Sequence, residues 1–180
     1  MKLPKKCVVD TNVPIVANLA IQPDPGSDVP DACVEACVKA VEHIIYNKEC
    51  RLIIDTGDEI FDEYIGQLTM TRKGQPGVGD RFMIWVHDNR HKPEYCVRVR
   101  ITSNGDSYEE FPMHDGLNDF DTSDRKFIAV SYAHPEKPPI LQATDSKWWG
   151  WKDALAEVGI NVLFLCQEYV ETKYAKKMGM

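Results

Sequence analysis

The sequence predicts an α/β protein in which a mostly parallel sheet is covered by helices on both faces. Short apolar runs, such as "CVV" and "PIL", alternate along the chain with longer segments of helical periodicity. Two or three of these runs are apolar on both faces, which is typical of strands buried inside a parallel sheet. At 180 residues and 43% hydrophobic content, the chain is long enough for one domain with a proper core.

In the first half of the chain, two predicted strands are each followed by a helix. "KCVVD" has the pattern of a short buried strand, and a helix is expected from about Asn12 to Ala20. The loop "QPDPGSDVP" leads into a helix over residues 30 to 48, because Pro, Asp and Gly favour turns. "CRLII" is the second strand, and the helix "DTGDEIFDEYIGQL" follows it.

The second half begins with the glycine-rich break "KGQPGVGD", which precedes a helix near residues 80 to 90. "YCVRVRIT" alternates in the manner of a half-exposed strand, and its Ser-Asn-Gly turn predicts a hairpin into "SYEEFP". The remaining elements are a helix after Asp124, the strand "PILQAT", a helix carrying "WWGWKDALAEVG", the strand "INVLFLC" and a short basic helix.

Charge and hydropathy narrow the class of protein. The net charge of −7 argues against a protein that coats polyanions, but acids clustered around metal ions leave a nuclease open. The first residues show no signal peptide, and no apolar run approaches the length of a membrane span. We therefore expect a cytoplasmic protein without membrane contact.

The six cysteines are expected to be reduced core residues, because none of them forms a C-x-x-C motif and four lie inside apolar patterns. Cys33 and Cys37, with His43, are an alternative set of metal ligands. However, both cysteines belong to a complete apolar helical stripe, so packing already explains them.

Three acids lie at positions where a carboxylate is unusual and needs an explanation. Asp10 follows "CVV" and Asp145 follows "LQAT", so both should emerge at the carboxyl-terminal edge of the sheet, where ligands bind at a switch point. Asp124 lies on the side of its helix that carries Phe127 and Ile128 and should face the core. Helix capping is the alternative explanation for each acid.

Four motifs in order, "VVDTN", "DEIFDEY", "SDRKFIAVS" and "ATDS", resemble the acidic motifs of PIN-domain ribonucleases. The resemblance spans about residues 6 to 166. It implies a three-layer α/β/α sandwich with a central, mostly parallel sheet. It also implies a single PIN-like nuclease domain over residues 1–180, with an inserted helix and strand segment at about 74–115 and a short helical tail at about 167–180.

The resemblance also implies an acidic site that binds one or two Mg²⁺ or Mn²⁺ ions and supports hydrolysis of RNA phosphodiester bonds. The catalytic and metal-binding residues that match are Asp10, Glu63, Asp124 and Asp145, and the auxiliary polar residues are Asn12, Asp121 and Ser123. Helical periodicity alone does not choose between Glu63 and its neighbours Asp62 and Glu59. Oxygen ligands without Cys or His favour Mg²⁺ or Mn²⁺ over zinc.

Substrate contacts are expected from cations and aromatic rings near these acids. Arg125 and Lys126 should project outward from the helix of Asp124, and Arg72 and Lys73 add cations that can track a nucleic-acid backbone. The three tryptophans after Asp145 either stack bases or pack a helix or a subunit interface.

The expected function is that of a metal-dependent endoribonuclease acting as a toxin or defence effector. Its expected partners are an RNA substrate, a protein partner or antitoxin, and a second copy of the chain. Two alternatives stay open: a catalytically silent PIN-like module that binds RNA or protein, and a Mg²⁺-dependent phosphoesterase that acts on DNA or small phosphates. The chain has no Gly-rich phosphate loop after the first strand, which argues against nucleotide binding.

Overall fold

A computed structural model describes residues 2–70 and 74–179. The strands are β1 (Lys6–Val9), β2 (Arg51–Asp55), β3 (Cys96–Val99), β4 (Ser103–Asn104), β5 (Ser107–Tyr108), β6 (Ile140–Gln142) and β7 (Val162–Phe164). The helices are α1 (Asn12–Asn18), α2 (Asp31–Tyr46), α3 (Glu59–Gln67), α4 (Val78–Asn89), α5 (Arg125–Ala133), α6 (Lys147–Glu157) and α7 (Gln167–Lys177). Two short 3-10 turns, Asp115–Leu117 and Thr122–Asp124, precede α5.

Five strands form one parallel sheet in the order β3-β2-β1-β6-β7. The chain builds the sheet outward from β1 to β3 and then crosses to the other side of β1 to add β6 and β7. Cys7 is in register with Leu52 on one side of β1, and Val9 is in register with Leu141 on the other. The predicted α/β class is confirmed, and the arrangement is consistent with a three-layer α/β/α sandwich.

The central strands β1 and β6 are buried on both faces of the sheet. In β1, Cys7, Val8 and Val9 are inaccessible to solvent, and all three residues of β6 are buried. A strand of this kind must place apolar residues at consecutive positions, which is the pattern that "CVV" and "PIL" show. The sheet therefore forms the core that fixes where its strand ends lie.

The segment 74–115 contributes to this core. β3 is an edge strand of the main sheet and pairs with β2, whereas β4 and β5 form a separate antiparallel hairpin. Helix α4 lies so close to α1 that a Cβ atom at Gly79 would come within 1.9 Å of the carbonyl oxygen of Pro14. Glycine at this position permits the two helices to pack.

The cysteines differ from the expectation. Cys33 and Cys166 form a disulfide with Cα atoms 5.1 Å apart, so the prediction of six reduced cysteines is wrong for this pair. Cys7, Cys37, Cys50 and Cys96 are free and buried. The disulfide joins residues 133 positions apart in the sequence, and a helical stripe carries no information about so distant a partner.

The helices of the described ranges, 2–70 and 74–179, include none that is both long and apolar enough to cross a membrane.

Candidate functional site

The candidate site lies at the carboxyl-terminal edge of the sheet, beside the central strand β1. Asp10 follows β1 directly, and Asp145 follows β6 after two intervening residues. The backbone N–H of Asp10 donates to the carbonyl oxygen of Leu141 at 3.0 Å, which keeps the two strand ends adjacent. The strand order reverses at β1, and ligands bind at such points in open parallel sheets.

Asp10 is a buried carboxyl group, with 2% of its surface exposed. The backbone N–H of Asn12 donates to its Oδ1 at 2.9 Å. Burial raises the pKa of Asp10 to about 8; the charges of Asp124 and Glu63 add to the rise, and hydrogen bonds from Asn12 oppose it. The ionised carboxylate of Asp10 therefore receives too few hydrogen bonds to offset its burial, and a bound cation would stabilise it.

Asp124 ends the 3-10 turn from which α5 starts. As predicted, the helix buries Phe127 and Ile128, and Asp124 at its start is half-buried. The indole Nε1–H of Trp148, on α6, donates to Oδ2 of Asp124 at 3.0 Å. The hydroxyl of Ser123 donates to its Oδ1 at 3.2 Å. Asp124 is thus held between α5 and α6.

The surroundings of Asp124 are mostly negative. Burial raises its pKa above the ordinary value, and the charges of Asp121, Asp145 and Glu63 raise it further, against the lowering effect of the Trp148 hydrogen bond. Because Asp124 interacts with three other acids and also raises the pKa of Asp10, it is the common member of the group.

Glu63 joins the group from α3. The hydroxyl of Thr11 donates to Oε1 of Glu63 at 2.5 Å, and the ammonium of Lys126 lies 2.5 Å from Oε2. Tyr64, the next residue, donates its hydroxyl to the carbonyl oxygen of Val9 at 2.6 Å, which ties α3 to the end of β1. The position of Glu63 is therefore fixed by contacts from Thr11, after β1, and from Lys126, on α5.

The neighbours of Glu63 on α3 have other surroundings. Asp62 is exposed, and Glu59 accepts a hydrogen bond from the hydroxyl of Tyr108 on β5. Among the three candidates for the second acid, Glu63 is the one whose charge raises the pKa values of Asp10 and Asp124.

The hairpin of β4 and β5 borders a cavity next to the loop that carries Asp121 and Asp124. Its volume is about 310 Å³, and Glu59, Tyr108 and Ser123 are among its lining residues. Several other residues around it also carry hydroxyl groups, namely Ser103, Ser107 and Thr122. The hairpin thus adds a hydroxyl-rich wall next to the loop that carries Asp121 and Asp124.

Asp145 and Asp121 lie at the rim and support local turns. The backbone N–H of Lys147 donates to Oδ1 of Asp145 at 2.9 Å, while the Lys147 ammonium lies 2.9 Å from Oδ2 of Asp121. Ser123 donates to Oδ1 of Asp121 through its backbone N–H at 3.2 Å and its hydroxyl at 2.9 Å. Hydrogen bonds from Lys147 and then Ser123 lower the pKa of Asp121. Both acids are therefore turn-forming residues as well as neighbours of Asp124.

The spacing and chemistry of these acids fit some metals better than others. In the described part of the chain, the one set of three His, Cys, Asp or Glu ligand atoms that lie within 4.8 Å of one another belongs to Cys33, Cys37 and Cys166. The carboxylates are therefore spread more widely than the ligands of a closed cage. Mg²⁺ usually keeps several waters and binds one or two carboxylates directly. The oxygen-only donors fit hydrated Mg²⁺ or Mn²⁺ and do not fit tetrahedral zinc.

The expectation that Arg125 and Lys126 project outward is wrong. The Lys126 side chain is 11% exposed and is turned toward Glu63. Arg125 donates from Nε to the carbonyl oxygen of Phe120 at 3.1 Å and from Nη2 to that of Asn118 at 2.9 Å. Arg125 therefore braces the turn before α5, and Lys126 places a positive charge among the acids.

The other residues expected to contact the substrate are two cations and three tryptophans. Arg72 and Lys73 lie outside the described residues. Trp148 is fully buried, and Trp149 and Trp151 are half-buried and pack against phenylalanine rings. This agrees with helix packing as the role of the tryptophans, and the buried ring of Trp148 cannot stack on a base.

Sequence reasoning missed three contributions to the site. Thr11 holds Glu63, Trp148 holds Asp124, and Lys126 neutralises part of the negative charge. The position of Thr11 immediately after Asp10 was the available signal, because the same strand end carries both. The contacts of Trp148 and Lys126 depend on how α6 and α5 pack, which local sequence does not specify.

Comparison of the chain with protein-family models, with curated proteins and with solved structures finds no significant match. Membership of the PIN family therefore rests on the four quoted motifs and stays a prediction.

Proposed function

We propose that this protein is a metal-dependent endoribonuclease that hydrolyses RNA phosphodiester bonds with Mg²⁺ or Mn²⁺. One observation carries the proposal: Asp10 is buried and the charges of Asp124 and Glu63 help to raise its pKa, while the charges of Asp121, Asp145 and Glu63 help to raise the pKa of the half-buried Asp124. Glu63 and Asp145 contribute further negative charge at the same edge of the sheet. A cation bound between these acids would offset the repulsion of their charges, which explains why the fold brings them together.

Asp10 and Asp124 are the residues that would hold the ion, since Asp10 is the buried acid at the end of β1 and Asp124 raises its pKa. Asp145 and Glu63 would complete its surroundings. When bound, the ion supplies Lewis acidity for a phosphate oxygen and lowers the pKa of water.

Side chains of the protein would carry out the proton transfer and the substrate contacts. Glu63 is oriented by Thr11, so its carboxylate is suited to accept a proton from a water that attacks the phosphorus. Lys126 would leave Glu63 when a metal enters and could then donate to a phosphate oxygen of the substrate. The hydroxyl groups of the hairpin cavity would contact ribose or base edges beside the cleaved bond.

Incubation with a mixed set of RNA and DNA oligonucleotides tests this function. We expect RNA cleavage in Mg²⁺ or Mn²⁺, no cleavage in EDTA, and loss of cleavage in Asp10→Asn. Asp153→Asn is the matched control, because Asp153 is an exposed acid on α6 that pairs with Lys152. Full cleavage by Asp10→Asn, or cleavage in chelator, would exclude the proposed mechanism. Cleavage of DNA alone would move the proposal to a DNA phosphoesterase.

A catalytically silent RNA- or protein-binding module is the second candidate, and the Lys126–Glu63 ion pair favours it. A built-in cation can compensate the acids without a metal. In that case RNA or a partner protein would bind, but no oligonucleotide would be cleaved in any metal.

The biological setting is part of the same proposal. It comprises a cytoplasmic toxin or defence effector, a protein partner or antitoxin that controls it, and association with a second copy of the chain. The resemblance of the four acidic motifs supports this setting. Growth arrest on induction of the wild type but not of Asp10→Asn would support the toxin role, and equal growth would oppose it.

A further inference from the structure

Three cysteines form a second cluster, separate from the acids. Cys33 and Cys37 are one helical turn apart on α2, so both point from the same face. Cys166 comes from the residue before α7. Their three sulfur atoms lie within 4.8 Å of one another, and all three residues are buried.

Two helix N-termini converge on this cluster. Cys33 is the third residue of α2, and Cys166 is the N-cap of the eleven-residue helix α7. The positive end of a helix dipole favours a thiolate over a neutral thiol. The backbone therefore supplies part of the positive field that several adjacent sulfur anions require.

The cluster is also reachable from outside. A cavity of about 370 Å³ is lined by Pro30, Ala32, Cys33, Cys166 and Gln167, among other residues. It opens onto two of the three sulfur-bearing residues, so a small ion and a fourth ligand have a route to the sulfurs. The free thiols Cys50 and Cys96 belong to no such set of three ligand atoms within the described ranges.

We infer that the reduced chain holds a thiophilic divalent cation of the zinc class on Cys33, Cys37 and Cys166. Zinc–sulfur bonds of about 2.3 Å place the sulfurs of a tetrahedral site about 3.8 Å apart, which is compatible with the observed grouping. The fourth position would be filled by water or a small ligand from the cavity. The cluster is thus a soft-metal site, whereas the acids form a site for hard cations.

The disulfide and the metal use the same sulfurs and therefore exclude each other. Opening the Cys33–Cys166 bond first requires two electrons from a dithiol or a phosphine, and two protons that come from the dithiol or, with a phosphine, from water. Metal binding then displaces one proton from each of the three thiols.

Cadmium titration of the full chain tests the site, because cadmium–thiolate bonds absorb in the ultraviolet. Phosphine-reduced wild type should bind one equivalent of Cd²⁺ with this absorption, and the oxidised protein should not. Cys37→Ala should weaken binding by more than the roughly tenfold that loss of an outer-sphere partner costs. Cys96→Ala is the matched control, since it also removes a buried free thiol, and it should bind as the wild type does. Cys50→Ala serves as a second control.

Circular dichroism accompanies the titration, so that loss of folding is not mistaken for loss of a ligand. If the reduced chain unfolds, one equivalent of Cd²⁺ should refold wild type and Cys96→Ala but not Cys37→Ala. The inference would be overturned if reduced wild type gave no thiolate band, or if Cys37→Ala bound Cd²⁺ as tightly as Cys96→Ala. Either result would leave Cys33–Cys166 as a structural disulfide only.

Discussion

At the scale of single residues, two other buried acids show how this chain accommodates structural carboxylates. Asp55 accepts hydrogen bonds from two backbone N–H groups at the start of α3, at 2.8 and 2.9 Å. Asp80 accepts from two backbone N–H groups as well, both at 3.0 Å. Asp10 instead has Asn12 as its donor and Asp124 as a negative neighbour. We expect this difference between acids that stabilise the fold and acids that bind a cation.

The stability of the metal-free protein should fall as the pH rises because of Asp10. Its pKa is raised from 3.8 to about 8, so the folded state binds a proton more tightly than the unfolded state between about pH 4 and about pH 8. The free energy of unfolding therefore decreases across this window, by at most about 1.4 kcal/mol per pH unit from this group. Urea unfolding in EDTA at several pH values measures the slope.

Asp10→Asn is the comparison for this measurement, because asparagine keeps the shape and cannot titrate. Its stability should depend less steeply on pH, and it should exceed the wild type in stability near pH 8. Parallel pH curves for the two proteins would show that Asp10 is not the buried, charge-coupled group described above.

Lys126 should act as the cation of the metal-free site. Lys126→Met keeps most of the apolar stem and removes the charge beside Glu63, so we expect a loss of about 2 kcal/mol in the free energy of unfolding in EDTA. The same change should strengthen Mg²⁺ binding, since the ion no longer displaces an ammonium group. Chemical unfolding with and without Mg²⁺ measures both effects.

Lys152→Met provides the control, because Lys152 pairs with the exposed Asp153 and surface pairs contribute little. If Lys126→Met and Lys152→Met have the same stability and the same response to Mg²⁺, the charge of Lys126 has no role in the acidic site.

At the scale of elements, α6 contacts Asp124 through the indole of Trp148. Trp148→Phe keeps a buried ring but removes the donor to Asp124, and we expect a loss of about 1–3 kcal/mol. Cleavage of RNA should also weaken, because Asp124 loses one of the two groups that orient it. Thermal melting and the oligonucleotide assay report the two effects.

The neighbouring residue gives a matched substitution. Trp149→Phe changes a half-buried ring that packs against Phe164, 5.2 Å away between ring centres, and it leaves Asp124 untouched. Activity should therefore survive in Trp149→Phe. Equal loss of activity in both variants would mean that α6 matters for packing alone.

The disulfide connects α2 to the start of α7, two elements far apart in the sequence. Its opening should lower the free energy of unfolding by about 2–4 kcal/mol, because it constrains the unfolded chain. Urea unfolding with and without a phosphine reductant measures this change. The parallel sheet contains neither cysteine of the pair, so the reduced protein should keep its far-ultraviolet circular dichroism. No change in stability on reduction would contradict a stabilising disulfide.

At the scale of the whole molecule, the sequence was sufficient for features that depend on short apolar runs. "CVV" and "PIL" are buried on both faces, which made the parallel sheet predictable, and strand ends then located Asp10 and Asp145. The position of Asp124 followed from helical periodicity. Each of these inferences needs the chemistry of only a few consecutive residues.

Features that depend on packing between distant elements were not predictable in this way. The partner of Cys33 lies 133 residues away, and the inward turn of Lys126 depends on the position of Glu63 on another helix. The alternating pattern of β3 indicated a strand but not its place at the edge of the main sheet beside β2. Such contacts are set by topology rather than by local periodicity.

Binding of Mn²⁺ tests the account's central claim most directly, namely that the acids at the end of β1 form one metal site. Electron spin resonance of free Mn²⁺ can be followed during titration of wild type, Asp124→Asn and the surface control Asp153→Asn. We expect wild type and Asp153→Asn to bind Mn²⁺, with Mg²⁺ in competition, and Asp124→Asn to bind more than roughly tenfold more weakly. Absence of binding to the wild type, or equal affinity of Asp124→Asn, would contradict the claim.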